Sequence, residues 1–222
     1  NITSDDIINI AEAGQNIPVT GVVGGDAKAG DTVTLTVNGK TFTGTVAADK
    51  TFSILVPGAD LAADPDKTVD ASITTTDAAG NSASSSDTES YSVAGVPSVV
   101  VDIVDSALNV ADTTSSVTFT FSEAPVGFTA SDITVANGSV TGLVATANPL
   151  VWTATFTATA GFEGTASVSV NPSSYSNAAG NPGSGATDTV SIDTQPPAPS
   201  ITLDANITSD DIINIAEAGQ NI

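Results

Sequence analysis

The sequence predicts an all-β protein with two tandem β-sandwich domains plus the first strand of a following repeat. Apolar and polar residues alternate with a period of two along most of the chain from Pro18 onward, which is the pattern of half-buried strands. Turn sequences rich in glycine and asparagine separate these segments. Residues 1–17 return letter for letter as residues 206–222, so position 206 minus position 1 gives a repeat period of 205 residues. That period suits two small domains better than one solenoid unit.

The first domain, residues 1–96, contains a β-hairpin. Every second residue from Thr32 to Val37 is apolar, and the following Asn38-Gly39 is typical of a type I′ turn into a second strand. The turn Asp77-Ala-Ala-Gly-Asn81 precedes the closing strand, which is expected to run from about position 84 to position 93. The other inward-facing residues are expected to be Phe52, Ile54, Val56, Val69, Ala71, Ile73, Tyr91 and Val93.

The second domain, residues 97–195, begins at the short linker Gly95-Val-Pro97, after which the alternation restarts. Its turns at Asn137-Gly138 and Asn177-Ala-Ala-Gly-Asn181 fit a sandwich of about seven short strands. Trp152 is expected to be the core aromatic residue of this domain. The strands are marked by Val99, Val101 and Ile103; by Val117, Phe119 and Phe121; by Ile133 and Val135; by Trp152, Ala154 and Phe156; by Ala166, Val168 and Val170; and by Val190 and Ile192.

Residues 196–222 comprise a proline-rich linker and the first strand and loop of the next repeat. Residues 201–204 match residues 99–102 at the start of the second domain, so we expect them to form a first strand. By the same comparison, residues 1–96 lack a first strand of their own. We therefore expect residues 200–222 to complete the first domain of a neighbouring molecule, head to tail.

The composition excludes several classes of partner and chemistry. The chain has 25 acidic residues against four lysines, no arginine and no histidine, for a net charge of −21. Nucleic acid and anionic membranes are therefore not expected as partners, because both require a basic surface. Without cysteine there is no disulfide and no thiol nucleophile. No apolar run approaches the roughly 20 residues that span a bilayer, so membrane insertion is not predicted either.

Oxygen-bearing side chains are concentrated in the repeated stretch that opens the chain. Close carboxylates repel unless a cation lies among them, and calcium takes about six to eight oxygen ligands. A calcium-binding loop is our first hypothesis for this stretch. The alternative is a solvated acidic loop in which Asp6 or Ser4 caps a helical turn through residues 7–11. The candidate ligands are Asp5, Asp6, Asn9 and Glu12, which recur as Asp210, Asp211, Asn214 and Glu217.

Five runs carry a family resemblance. They are Asp5-Asp-Ile-Ile-Asn-Ile-Ala-Glu-Ala-Gly14, Gly30-Asp-Thr-Val-Thr-Leu-Thr-Val-Asn-Gly-Lys40, Thr76-Asp-Ala-Ala-Gly-Asn81, Phe128-Thr-Ala-Ser-Asp-Ile-Thr-Val135 and Asn177-Ala-Ala-Gly-Asn181. Together they resemble the bacterial Ig-like extender repeats of giant adhesins secreted by type I systems, the biofilm and RTX-type adhesins. The resemblance implies Ig-like sandwiches that repeat within one polypeptide and hold a distal ligand-binding region away from the bacterial cell surface. It also implies an extracellular location and calcium that rigidifies the joints between domains.

The implied Ig-like topology predicts which loops meet where two domains join. The loop after the first strand lies where the chain leaves a domain, and the loop between the last two strands lies where the chain enters. The inner joint, between the two domains, then gathers Asp5, Asp6, Asn9 and Glu12 with Asn177 and Asn181. The outer joint, to the following copy, gathers Asp105, Asn109, Asp112 and Asp193 with that copy's Asp77 and Asn81, and Asp204 completes the candidate metal ligands.

The turns between the last two strands of each domain offer different metal ligands. Asn177 stands where the first domain has Asp77, so a metal ion at the inner joint would have a weaker ligand. The alternative for Asp77 and Asn81 is that they only shape a turn in which Gly80 supplies a positive φ.

Two other functions compete with the extender hypothesis. An enzyme is disfavoured because the chain has no imidazole base, thiol nucleophile or guanidinium group. A module that binds carbohydrate, ice or a host surface is the stronger alternative, because threonine-rich strand faces such as Thr32, Thr34 and Thr36 could form a flat binding array. Such faces are also common as the solvated side of a strand.

Overall fold

Alternating strands bury their apolar faces in two separate cores in the computed structural model, which describes residues 2–203, 210–213, 215, 216 and 218. No helix in this described part is long and apolar enough to cross a membrane. The first sandwich contains β1 (Ile7–Ile8), α1 (Ile10–Ala13), β2 (Asn16–Val22), β3 (Thr32–Val37), β4 (Lys40–Thr45), β5 (Thr51–Pro57), α2 (Gly58–Ala63), β6 (Thr68–Thr76), β7 (Ser82–Ser90) and β8 (Ser92–Val93). The second contains β9 (Val99–Ile103), β10 (Ala107–Asn109), β11 (Thr114–Phe121), a 3₁₀ helix (Ala130–Asp132), β12 (Ile133–Ala136), β13 (Gly138–Ala145), β14 (Val151–Ala158), β15 (Glu163–Val170) and β16 (Ala186–Asp193).

The first sandwich packs the pair β2-β5 against a four-stranded sheet of order β4-β3-β6-β7, while β1 pairs in parallel with β8. The predicted hairpin is confirmed by β3 and β4. Asn38 and Gly39 both have positive φ, at 51° and 69°, as a type I′ turn requires. Leu35 is fully buried in the core, whereas Val93, which was predicted to face inward, is 37% exposed.

The second sandwich packs a sheet of order β13-β14-β11-β9 against one of order β10-β16-β15-β12. Its core holds a cluster of aromatic rings, and Trp152 is a partly buried member that meets Phe128 edge to face, with ring centroids 5.4 Å apart. The sandwich has eight strands, because β10 and β13 are present in addition to the six that the apolar markers identified. Both sandwiches confirm the all-β, Ig-like fold class. The domain boundaries at 96 and 195 stay predictions.

The helical turn near the start of the chain differs from the predicted one. Its cap is Asn9 rather than Asp6 or Ser4, and the helix begins at Ile10. Asp6 has a φ of 57°, a left-handed conformation, so a helix cannot start directly at this residue. The helical turn therefore comes three residues later than the expected 7–11.

Helix α2 was not predicted from the sequence, and tertiary contacts explain why it forms. Leu61 is fully buried, and Lys40 forms an ion pair with Asp60 at 2.6 Å. The hydroxyl of Tyr91 donates to the carbonyl of Leu61 at 2.7 Å. Because Lys40 and Tyr91 lie far from α2 in the sequence, the local sequence carries no periodic signal for this short helix.

The edge of β2 distinguishes the two sandwiches. In the second, β9 pairs antiparallel with β11 and forms the edge of that sheet. In the first, β2 pairs with β5 on one side, and no described strand pairs with its other edge. The expectation that residues 1–96 lack a first strand stays a prediction.

Two buried residues test whether the cores unfold separately. Phe156→Ala should destabilise the second sandwich by about 3–5 kcal/mol, and Leu35→Ala should destabilise the first by about 2–5 kcal/mol. The only tryptophan, Trp152, lies in the second sandwich and reports on that core alone. We expect Phe156→Ala to lower the urea midpoint of the Trp152 fluorescence transition. Leu35→Ala should lower a transition seen by circular dichroism and leave the fluorescence midpoint in place; a shift of both signals by Leu35→Ala would contradict separate cores.

Candidate functional site: the joints between domains

The turn from Asn177 to Asn181 lies where the chain enters the second sandwich. The side-chain oxygen of Asn177 accepts the backbone N–H of Asn181 at 2.9 Å, and Gly180 takes a φ of 79°. Both asparagines are buried, at 1% and 2% exposure. The backbone N–H of Ser184 donates to the carbonyl of Pro97 at 2.9 Å. This bond places the loop beside the linker, as the predicted topology requires.

Asn181 connects the two sandwiches directly. Its Oδ1 accepts the backbone N–H of Ile10 at 2.8 Å, and its Nδ2 donates to the carbonyls of Ala94 and Gly95 at 2.8 and 3.0 Å. Ile10 is the first residue of α1, and the N–H groups of a first helical turn have no partner within the helix. The second sandwich therefore supplies an acceptor for the Ile10 N–H, which has no partner within the helix.

Helix α1 is held in place for this contact. Asn9 and Glu12 form a capping box, in which the Asn9 side chain accepts the Glu12 N–H at 2.9 Å and the Glu12 carboxylate accepts the Asn9 N–H at 3.0 Å. Gly58 of α2 donates its N–H to the carbonyl of Gln15, and a Cβ at Gly58 would lie only 2.0 Å from the carbonyl oxygen of Glu12. Two of the predicted metal ligands, Asn9 and Glu12, thus bond to the helix start.

Asn177 uses its amide as a donor at the same joint. Its Nδ2 donates to the carbonyl of Gly95 at 3.2 Å and to the carboxylate of Glu123 at 3.1 Å. An aspartate could make neither bond, because an ionised carboxylate only accepts. The sequence analysis missed Glu123, since nothing in its local sequence indicates a partner 54 residues away.

Asp5 and Asp6 bond to their own loop. Asp5 accepts the N–H of Ile7 at 3.2 Å, and Asp6 accepts the N–H of Ile2 at 2.7 Å. The next copy repeats this local geometry, because Asp210 accepts the N–H of Ile212 at 3.1 Å and Asp211 has a φ of 62°. The other candidate ligands of that copy, Asp204, Asn214 and Glu217, lie outside the described residues.

The turn from Asp77 to Asn81 is the exposed counterpart in the first sandwich. Asp77 accepts the N–H groups of Ala79 and Asn81, both at 2.9 Å, and the Asn81 amide donates to its other oxygen at 2.9 Å. These bonds, that of the Asn81 side chain first, lower the pKa of Asp77 from its usual 3.8. Its contribution to stability is therefore present above that value and is lost as the pH falls through the lower pKa of the folded state. Gly80 has a φ of 90°, as a turn-forming role requires.

Three side chains stand side by side where the chain leaves the second sandwich. Asn109 is in register with Asp193 on the neighbouring strand, and Asp193 is in register with Glu163 on the next. Directly opposed residues point to the same face of a sheet, so the three form one row. Asp112 adjoins this row, since its N–H donates to Asn109 Oδ1 at 3.2 Å, and Asp105 lies in the loop after β9. Glu163 was missed by the sequence analysis because only the strand register brings it here.

The fit of these groups to a cation differs between the joints. No group of three or more His, Cys, Asp or Glu side chains in the described part of the chain could hold a metal ion. At the inner joint, the asparagine amides already pair donors with acceptors. At the exit of the second sandwich, Asp193 and Glu163 offer carboxylate oxygens, which is the ligand chemistry of calcium. The amide oxygen of Asn109 in the same row already accepts the N–H groups of Ala111 and Asp112. This row lies at the end where the chain leaves the second sandwich.

Comparisons with known proteins identify relatives of this architecture. A family model described as a bacterial Ig-like domain matches residues 94–194. No curated protein sequence matches the chain. A bacterial immunoglobulin-like domain from the M. primoryensis ice-binding adhesin is 47% identical, with a TM-score of 0.40, over 42% of this chain and 90% of that structure.

Two longer structures cover almost the whole chain. A Ca²⁺-stabilised adhesin with which an Antarctic bacterium binds ice is 34% identical, with a TM-score of 0.54, over 98% of this chain and 53% of that structure. A structure from a 1.5-MDa bacterial ice-binding adhesin, described for host cell surface retention, is 31% identical, with a TM-score of 0.60, over 98% of this chain and 70% of that structure. The chain thus spans about half to two thirds of the length of these two structures.

An exchange between the two turns tests the donor role of Asn177. Asn177→Asp should destabilise the chain by about 1–3 kcal/mol at pH 7, because it removes two buried donor contacts and places a carboxylate against that of Glu123. The matched change Asp77→Asn, in the exposed turn, should have a much smaller effect. Urea unfolding of both variants measures the difference. Equal effects of the two substitutions would show that Asn177 only shapes its turn.

Proposed function

Because the chain belongs to the bacterial Ig-like domain family of large bacterial adhesins, we propose that it is a structural extender repeat, a spacer that projects a distal ligand-binding region from the cell. The observation that carries the proposal is the inner joint. There the N–H of Ile10 and the carbonyls of Ala94 and Gly95 are bonded to one side chain, Asn181. A joint that fixes both the helix and the linker resists bending, which is the property that a spacer needs.

Calcium enters the proposal at the outer joint. If consecutive copies join as the two sandwiches do, Asp77 takes the position that Asn177 holds at the inner joint. Asp193 likewise takes the position of Ala94, since β10 and β16 pair as β1 and β8 do. Compared with the inner joint, the outer joint then lacks one amide donor and has two additional carboxylates, those of Asp77 and Asp193. Facing oxygens without donors repel, and a divalent cation relieves the repulsion. Support comes from the relative described as a Ca²⁺-stabilised adhesin.

The expected ligands come from two copies of the repeat. Asn109, Asp193 and Glu163 would contribute from the exit of one second sandwich, and Asp77 from the turn of the following first sandwich. When bound, the ion would neutralise carboxylates that otherwise push the copies apart. Asp105, Asp112 and Asn81 complete the candidates at this joint.

The expected calcium affinity suits a joint that becomes rigid only when calcium is present. Extracellular calcium modules bind with dissociation constants of about 10⁻⁴ to 10⁻³ M. A hundredfold excess of free calcium over the dissociation constant stabilises by about 2.7 kcal/mol per site. Such a site would stiffen an array without being needed for each sandwich to fold.

The partners in this proposal are further repeats. Identical repeats adjoin in the same polypeptide, and a C-terminal strand from one molecule completes the first sandwich of another. The proposed location is extracellular, at the bacterial cell surface, as the relatives described as bacterial adhesins suggest. The proposal assigns the chain no catalytic role.

Calcium titration of a chain with two consecutive repeats tests the outer joint. We expect heat from calcium binding and a higher melting temperature in calcium than in EDTA. Asp193→Asn combined with Glu163→Gln should weaken binding at least tenfold, because it removes two charged ligands from the row. Asp70→Asn is the matched control, since Asp70 is an exposed acid in the middle of β6. Equal weakening by the control would reduce the effect to net charge, and absence of any calcium heat would contradict the calcium proposal.

A further inference from the structure

The chain contains the dipeptide Asn-Gly twice, at Asn38-Gly39 and at Asn137-Gly138. Asparagine deamidates most readily when glycine follows it, because glycine has no side chain that keeps the carboxamide away from the next backbone nitrogen. Both asparagines have a positive φ, at 51° and 56°. The two sites therefore share a dipeptide and a backbone conformation, and they differ in what surrounds them.

Deamidation at such a site needs only the chain and water. The glycine backbone nitrogen loses its proton and attacks the carboxamide carbon of the asparagine. A C–N bond forms, and the amide nitrogen takes up a proton and leaves as ammonia. Water then opens the succinimide ring at either carbonyl, which gives aspartate or isoaspartate. The reaction requires a carboxamide that is free to turn and an accessible backbone nitrogen.

Asn38 meets both requirements. It lies at the tip of the β3-β4 hairpin, beyond the last pair of the ladder, Val37 and Lys40. Among the described residues, neither the Asn38 carboxamide nor the Gly39 N–H has a hydrogen-bond partner. A Cβ built at Gly39 would meet no described atom within 4 Å, so the space beside this nitrogen is open.

Asn137 is held in place instead. Its Nδ2 donates to the carbonyl of Thr165 at 2.8 Å, and its own carbonyl accepts the N–H of Thr159 at 3.1 Å. A Cβ at Gly138 would lie 2.3 Å from the ring of Phe156, which is fully buried. Ring closure at this site would break the bond to Thr165 and press the chain against a core aromatic residue.

We propose that Asn38 is a site of spontaneous deamidation in the folded protein and that packing protects Asn137. Conversion places a carboxylate two residues before Lys40, whose ammonium binds Asp60 of α2 at 2.6 Å. An isoaspartate product also lengthens the backbone within a turn whose ends, Val37 and Lys40, are paired. The modification therefore acts on the hairpin and on its ion pair with α2. This inference does not depend on the proposed spacer function.

Incubation of the full chain at mildly alkaline pH, followed by peptide mass mapping, tests the inference. Cleavage after lysine releases residues 29–40, in which Asn38 is the only asparagine. Cleavage after glutamate releases residues 124–163, which contain Asn137 and Asn148. Asn148 precedes proline, which has no N–H, so it cannot react by this route. We expect Asn38 to convert at least about tenfold faster than Asn137. An aliquot that was not incubated corrects for conversion during digestion.

Two controls separate the effect of the fold from that of the local sequence. In urea, which unfolds the chain, Asn38 and Asn137 should convert at similar rates because only the dipeptide remains. The variant Asn38→Asp supplies the aspartate product and should gain no further mass in residues 29–40. Equal rates in the folded chain, or an unreactive Asn38, overturn the inference. A tenfold preference for Asn38 that persists in urea also overturns it, since the fold would then not be its cause.

Discussion

The carboxamide of Asn181 is the contact on which the geometry of the chain depends. Its oxygen accepts the N–H of Ile10 at the start of α1, and its nitrogen donates to the linker carbonyls of Ala94 and Gly95. One side chain of the second sandwich thus satisfies a helix start and a linker of the first. Separating the domains would leave these groups to water and would also expose Asn177 and Asn181, which are buried. The inner joint is therefore closed by paired donors and acceptors.

The turns Asn177–Asn181 and Asp77–Asn81 are related loops with different chemistry. Asn177 in one turn donates to Gly95 and Glu123, whereas Asp77 in the equivalent turn can only accept. An array of such repeats would alternate joints that are closed by hydrogen bonds with joints whose carboxylates respond to calcium. With a net charge of −21, the chain also resists collapse onto itself. An array of this kind would be extended in calcium and looser without it, while each sandwich stays folded.

The sequence predicted the elements that depend on local pattern and missed those that depend on distant partners. Alternation identified the hairpin around Asn38-Gly39 and the strands that carry Phe119 and Phe156, because a half-buried strand leaves a period of two. Helix α2 escaped prediction because its contacts are tertiary, such as the hydrogen bond from the Tyr91 hydroxyl to the carbonyl of the buried Leu61. At the joint, the topology implied by the family resemblance led to Asn181. It could not reveal that Asn181 bonds to a backbone N–H, nor that Glu123 and Glu163 take part, since strand register and long-range packing place them.

Small-angle X-ray scattering of two chains, each in calcium and in EDTA, distinguishes a joint that is closed by hydrogen bonds from one that is closed by calcium. One chain is the 222-residue protein, which contains an inner joint, and the other carries two consecutive repeats and adds an outer joint. We expect the scattering of a monomeric sample of the first chain to be unchanged by EDTA, because Asn181 closes its joint without metal. The second chain should become shorter and more flexible in EDTA. Loosening of the first chain, or an unchanged profile of the second, would contradict the assignment of hydrogen bonds to one joint and calcium to the other.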